Sequence, residues 1–238
     1  YPEWLHSGYR NTQSCQSCHM PAIAEPAPIS RVLGEPREGA RLHSFVGGNF
    51  FMLSLLNRYR DELSVTALAT ELTQGVEYTL ENLKTRAATV AIENVSTTAE
   101  PGRLRAEVVI HNKNGHKLPT AYPSRRAWIH LVVRDAQGRA VFESGALGAD
   151  GAIAGNDGDA DATRYEPHYS EIREPGQVQI YETVMGDVNG LPTTGLLTGV
   201  RYLKDNRLLP EGFDKQTASR DVAVVGEALT DPAFSGGG

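Results

Sequence analysis

The segment Cys15-Gln16-Ser17-Cys18-His19 constrains this chain more than any other. Its two cysteines are the only ones among 238 residues, and they stand within four positions of each other. Three chemistries compete for such a pair. A thioredoxin-like redox pair follows a strand and opens a long helix. Here the preceding Tyr9-Arg10-Asn11-Thr12-Gln13-Ser14 shows no strand pattern, and no βαβ unit surrounds the site. A structural zinc site needs four ligands, and a second CxxC is absent. Attachment of a c-type haem uses C-x-x-C-H. Two thiols at this spacing add to the two vinyl groups of one porphyrin, and the adjacent imidazole reaches the iron from the same turn. Cys15 and Cys18 are therefore expected to be haem anchors, and His19 an axial ligand.

Composition sets the outer limits. A chain of 238 residues suggests one large or two small domains and can bury a sizeable core without disulfides. Gly 24 and Pro 13 favour turn-rich β structure over a long helical bundle. The net charge of −6, with no basic cluster, argues against nucleic-acid binding. No apolar stretch approaches the ~18 residues of a membrane span. Covalent haem assembly implies export in bacteria. A periplasmic or extracellular location is expected, with either a signal segment removed ahead of Tyr1 or the chain a piece of something longer.

Residues 1–43 look irregular, with Pro21, Pro26, Pro28 and Pro36 interrupting any helix, and read as a haem-wrapping segment. Residues 49–62 read as a helix with Asn49 as N-cap, and residues 64–86 as a second helix capped by Ser64. Val65, Leu68, Leu72, Val76, Leu80 and Leu83 form one stripe on the second. After Arg86 the period changes to two. Val90 and Ile92 alternate with polar or small residues, as do Leu104, Ala106, Val108 and Ile110, then Ile129, Leu131 and Val133, then Val178, Ile180, Glu182 and Val184. Strands 127–134 and 139–144 are expected to form a hairpin through Asp135-Ala136-Gln137-Gly138, and 221–225 a last short strand. Leu104, Val108 and Ile110 are expected to share one core with Ile129, Leu131 and Val133. The expected fold is thus α+β: a haem c-binding helical segment over 1–86, then an antiparallel, Ig-like β-sandwich over 87–238. The end, Phe234-Ser235-Gly236-Gly237-Gly238, reads as a loop cut short.

If a second side chain fills the iron's other axial position, the candidates are the remaining histidines and the thioethers Met20, Met52 and Met185. Met20 adjoins His19 and cannot reach the opposite face. His130 sits mid-strand and reads as structural, and His111 as solvent-facing. His43 lies 24 residues beyond His19, enough chain to cross the haem, and is followed by Gly47 and Gly48, which permit close backbone approach. His116 sits in the turn Asn114-Gly115-His116-Lys117-Leu118-Pro119-Thr120, where loops carry function. His168 follows Pro167 in another loop, and His6 could ligate a different haem. His43 is the first choice for the distal ligand and His116 the second, for this haem or a neighbouring one. Asp157, Asp159 and Asp161 occupy alternate positions like the first half of a calcium loop, but His168 stands where the closing Glu belongs, and a solvated acidic loop competes. Ser124-Arg125-Arg126 could pair with haem propionates or lie at the surface. No Ser/His/Asp order, P-loop or HExxH occurs, so any catalysis would rest on the haem.

Taken together, Cys15-Gln16-Ser17-Cys18-His19-Met20-Pro21, His43-Ser44-Phe45 and Gly115-His116-Lys117-Leu118-Pro119-Thr120 resemble the multihaem c-type cytochromes of bacteria. In that family CxxCHMP is a common attachment motif, a later His-x-Phe often supplies a distal ligand, and a Gly-His-x-x-Pro-Thr turn recurs on a β-sandwich. Residues from about 1 to 60 and 105 to 130 carry the likeness. Only one CxxCH is present, so the resemblance implies the C-terminal part of a longer cytochrome. It implies electron transfer to other haems or redox proteins, within a larger multihaem chain or an oligomer. The alternative is a multihaem oxidoreductase of small nitrogen or sulfur compounds, which would need an open iron position. A haem-anchored module whose sandwich recognises a partner is a third possibility.

Overall fold

A computed structural model describes residues 1–97, 102–120 and 122–237. Gly238, the last residue of the expected terminal loop, lies outside them. The elements run α1 (Pro2–Leu5), α2 (Cys15–His19), β1 (Ala27–Pro28), β2 (Pro36–Arg37), α3 (Phe50–Arg58), α4 (Ala69–Thr85), β3 (Ala88–Ser96), β4 (Arg105–Asn112), β5 (Arg126–Trp128), β6 (Leu131–Arg134), β7 (Ala140–Ser144), α5 (Asp157–Ala160), β8 (Ile180–Gly186), β9 (Pro192–Thr193) and β10 (Arg201–Asp205). The chain mixes helices with antiparallel sheets, as expected of an α+β protein. It divides into two compact units: Gly8–Asn114, called here the helical unit, and Gly115–Gly238 with Tyr1–Ser7, called the β unit. The hairpin β3–β4 groups with the helices, whereas the change of period at residue 87 would place it with the later strands.

In the helical unit, Asn49 caps α3 as expected, its Oδ1 accepting the Met52 N–H at 3.0 Å. Tyr59 ends this helix earlier than the apolar pattern suggests, and a tight turn follows. Ser64 does not cap the next helix. It sits in that turn with φ +52°, and α4 begins at Ala69, where the Glu71 carboxylate accepts the Leu68 N–H at 2.9 Å. Glu71 does the work expected of Ser64 because its side chain reaches back to a donor the helix leaves unpaired. α4 packs on α3. Asn57 Nδ2 donates to the Ala69 carbonyl and to Thr73 Oγ1, and a Cβ at Gly75 would come within 3.3 Å of Leu53 Cδ1. Leu72 is the buried member of the predicted stripe.

In the β unit the hairpin β6–β7 closes through Asp135–Gly138 as expected, with Asp135 Oδ1 accepting the N–H of Gln137 and of Arg139. β8 is central to a four-stranded sheet: β5 and β10 flank it, and β9 pairs with its end. The remaining sheets are two-stranded and open. The expected strand at 221–225 reduces to one bridge between Val225 and Asp205.

The expected core is corrected. None of Leu104, Val108, Ile110, Ile129, Leu131 and Val133 belongs to a buried cluster; Leu104 is exposed, and β4 pairs only with β3. The buried apolar residues form two clusters instead. One holds Leu209, Phe213, Val222, Val224, Ala228 and Phe234, and the other Ile153, Val178 and Ile180 against Trp128. Alternation shows which residues share a strand face, not which faces meet.

Ile180→Ala, at a fully buried position, should cost about 2–5 kcal/mol in urea unfolding. Ile92→Ala, on an exposed strand face, should cost under about 1 kcal/mol. Equal losses would contradict this placement of the core.

Candidate functional site

The Cys-x-x-Cys-His segment forms a single short helix, α2, instead of an extended loop. Cys15 and Cys18 stand three apart, so they share a helix face. Both are free thiols at the surface. The Cys18 thiol donates to Gln13 Oε1 at 3.5 Å.

His19, half-buried at the end of α2, is held from the segment 40–46. Its Nδ1 lies 2.6 Å from the Val46 carbonyl. A carbonyl only accepts, so Nδ1 carries the proton and the ring's lone pair is on Nε2. Three backbone hydrogen bonds fasten the same two stretches: Val46 N–H to the His19 carbonyl (3.2 Å), Leu42 N–H to Pro21 (2.9 Å) and Ile23 N–H to Ala40 (2.8 Å); a fourth, Met20 N–H to Gln16 (3.0 Å), closes the turn itself. Val46 is itself buried, one of only three apolar side chains in the helical unit to be so among the described residues, with Leu72 and Ala87. In the same unit Ile29, Val32, Leu33, Phe45, Phe51 and Met52 are exposed. A unit of about this length usually buries most of its large apolar side chains. Two thiols on one turn and an imidazole with its tautomer set by a backbone carbonyl fit the needs of a covalently attached haem. The thiols can form thioethers, and Nε2 can bond iron.

The other expected ligands are placed as follows. His43 belongs to the same unit as His19, three residues before Val46, exposed, with its ring edge-on to Phe45 at 5.8 Å. His116 belongs to the β unit and is half-buried; the N–H of the next residue, Lys117, donates to Glu3 Oε2 at 3.0 Å. His111 is exposed on β4, and His130 Nε2 lies 2.9 Å from Glu143 Oε1. His6 meets Ser219 Oγ at 3.0 Å and packs on Phe213. Met20 ends α2, Met52 is exposed on α3, and Met185 lies on β8.

His168 is not available to a metal. It is buried, Nδ1 accepts from Gln179 Nε2 (2.9 Å) and Asn206 Nδ2 (3.1 Å), and Nε2 lies 3.0 Å from Asp231 Oδ2. Both amides are fixed by further bonds: Gln179 Oε1 accepts the Tyr169 N–H, and Asn206 Oδ1 accepts the Glu182 N–H. Nδ1 is therefore an acceptor, and Nε2–H donates to Asp231. Burial lowers the pKa of His168 below the usual imidazole range, outweighing the opposing pull of Asp231.

The carboxylates of Asp157, Asp159 and Asp161 do not converge. Asp157 pairs with Arg164; Asp159 binds Arg126 at 2.6 Å and the Ile153 N–H at 2.8 Å; Asp161 accepts from Thr163. Among the described residues no group of three His, Cys, Asp or Glu side chains is arranged to hold a metal ion. The alternate spacing is absorbed by α5, whose turn sends the three side chains to different partners. Arg126 is thereby occupied by Asp159, and Arg125 donates to the Thr120 carbonyl.

Sequence reading missed a buried ionic network in the β unit. Lys117 and Asp205 pair at 2.9 Å, Arg207 grips Asp205 through Nε (2.9 Å) and Nη2 (2.8 Å), and Arg207 Nη1 reaches Glu3 at 2.9 Å. Burial pulls Lys117 below its ordinary pKa, against Asp205. For Asp205 burial acts upward, but the Arg207 and Lys117 bonds together hold it low. Nearby, Lys204 donates to Glu182 (3.0 Å) and to the Glu166 and Ile180 carbonyls. The visible signal was the run Lys204-Asp205-Asn206-Arg207 between Tyr202-Leu203 and Leu208-Leu209. Four polar residues in an apolar strand context mark a buried network.

No protein-family model, curated protein or solved structure matches the chain. Among the described residues no helix is long and apolar enough to cross a membrane.

Because the unfolded His168 binds its proton near pH ~6.5 and the folded one only at lower pH, its contribution to stability is complete above ~6.5 and is lost as the pH falls through the folded value. The urea midpoint should drop between pH 8 and 5, and His168→Gln should flatten that slope. Identical slopes in the two proteins would contradict the buried neutral imidazole. Asp205→Ala should cost about 3–5 kcal/mol, since it strands two buried cations; a loss below 1 kcal/mol, read from the same urea curves, would show the network is not desolvated.

Proposed function

We propose that this chain binds a c-type haem through Cys15 and Cys18, with His19 as the proximal ligand, and transfers electrons as part of a multihaem cytochrome. The observation that carries the reading is the hydrogen bond from His19 Nδ1 to the Val46 carbonyl. It puts the lone pair on Nε2 and fixes the ring, which is what an iron-ligating histidine requires of its surroundings. A thioredoxin-like pair has no use for that constraint on the residue after its second cysteine. When bound, the haem supplies one-electron chemistry at iron.

The protein's own residues do the rest. The short helix α2 presents the thiols on one face. The segment 40–46 holds the imidazole. Phe45, exposed in that segment, offers apolar surface to a porphyrin, and covering it would keep water from the iron. His43 is the first distal candidate because it belongs to the same unit as His19 and stands 24 residues beyond it. His116 remains the second, for this haem or a neighbouring one. For the β unit we keep the reading of an Ig-like sandwich. β5 pairs with β8 and β6 with β7, although only Ile129 and His130 separate β5 from β6. A strand that leaves one sheet and enters another across a two-residue bend is how sandwich corners are built.

A carrier needs no open coordination position. The purified haem-loaded chain should therefore be six-coordinate and low-spin, and His43→Ala should turn it high-spin and let carbon monoxide bind. If His116→Ala does this and His43→Ala does not, the distal ligand comes from the β unit. If the unmutated chain is already high-spin and binds nitrite freely, the carrier reading is wrong and an oxidoreductase takes its place.

A further inference from the structure

Arg41 lies in the segment that clamps the CxxCH turn. α2 has only five residues, and its end is closed by the Met20 N–H, which donates to the Gln16 carbonyl at 3.0 Å. The Arg41 guanidinium adds to that closure: Nη1 donates to the same Gln16 carbonyl at 3.1 Å and to the Met20 carbonyl, just past the helix, at 3.0 Å. Its backbone is held on the same stretch, bridged to Ala22 and flanked by the Ile23–Ala40 and Leu42–Pro21 hydrogen bonds. The side chain is at the surface, and among the described residues no carboxylate forms an ion pair with it. A cation bonded to the final carbonyls of a helix stabilises that end. Here the end is the turn that carries Cys18 and His19.

We propose that Arg41 is a positioning residue of the haem site. It caps the CxxCH turn so that both thiols and the imidazole are presented together, and its charge, uncompensated by a carboxylate, raises the reduction potential. The second effect follows from charge alone. Reduction removes one positive charge from the iron, so a nearby cation destabilises the oxidised form more than the reduced form. The proposal rests on the haem reading above.

The test compares the unmutated full chain with Arg41→Met, Arg41→Gln and Arg41→Lys, all made in cells that assemble c-type haem. The fraction of chain carrying haem after acid–acetone extraction is read by intact mass, and the midpoint potential by redox titration. Arg41→Met should lower the haem-bearing fraction about two- to five-fold and shift the potential downward. Arg41→Gln keeps a donor without the charge, so attachment should recover while the potential stays low. Arg41→Lys should restore both. The proposal is overturned if Arg41→Met matches the unmutated chain in both readouts, or if Arg41→Lys is as far from it in potential as Arg41→Met. If Arg41→Met does not fold, Arg41→Gln decides, and an unchanged potential overturns the charge assignment. An unmutated chain without covalent haem overturns the haem reading itself, and this proposal with it, a result distinct from haem-loaded protein that is indifferent to Arg41.

Discussion

The helical unit is organised around one contact, the proton that His19 Nδ1 shares with the Val46 carbonyl. This hydrogen bond from a ring nitrogen to a carbonyl limits rotation of the imidazole and keeps the proton on Nδ1 at once. It also explains why Val46 is buried in a unit with so few buried apolar residues, and why the backbone of 40–46 is fastened to 19–23. The short helices and turns around the motif have little regular structure of their own to hold them. Their geometry is set by these cross-links.

The two units are stabilised by different means. Of the twelve buried apolar residues among those described, nine lie in the β unit and gather into two clusters, and charged groups of the same unit are buried in matched pairs. Such pairs contribute less through their mutual attraction than their burial costs if either partner is lost, so they make this arrangement of strands hard to exchange for another. Glu3 ties the N-terminal helix α1 into that network through Arg207 and Lys117. Among the described residues the helical unit has three buried apolar side chains and many exposed ones.

Features with short-range causes were legible in the sequence. The Asn49 cap, the Asp135–Gly138 turn and the helix stripe through Leu72 each depend on residues within a few positions. The Cys15-x-x-Cys18-His19 spacing, which puts both thiols on one turn, is likewise local. The start of α4 escaped because two local signals competed: Glu71, three residues on, reaches back to Leu68 and starts α4 there, while Ser64, a good capping residue by type, falls in a left-handed turn. The rest of what escaped sequence reasoning depends on distant partners. The roles of Arg41 and Val46 could not be read because each acts on a residue more than twenty positions away. His168 looked like a loop ligand until Gln179, Asn206 and Asp231 took up both its nitrogens. The three aspartates looked like a cation loop because alternation is visible in sequence and the divergence imposed by α5 is not.

The central claim is that Cys15 and Cys18 hold a haem by thioether bonds. The most direct measurement is peptide mapping by mass spectrometry of the full chain produced with the haem c assembly machinery. One haem should be found on the peptide containing Cys15 and Cys18, with neither thiol open to alkylation. A chain that purifies colourless under those conditions, with both cysteines alkylated, would contradict the account.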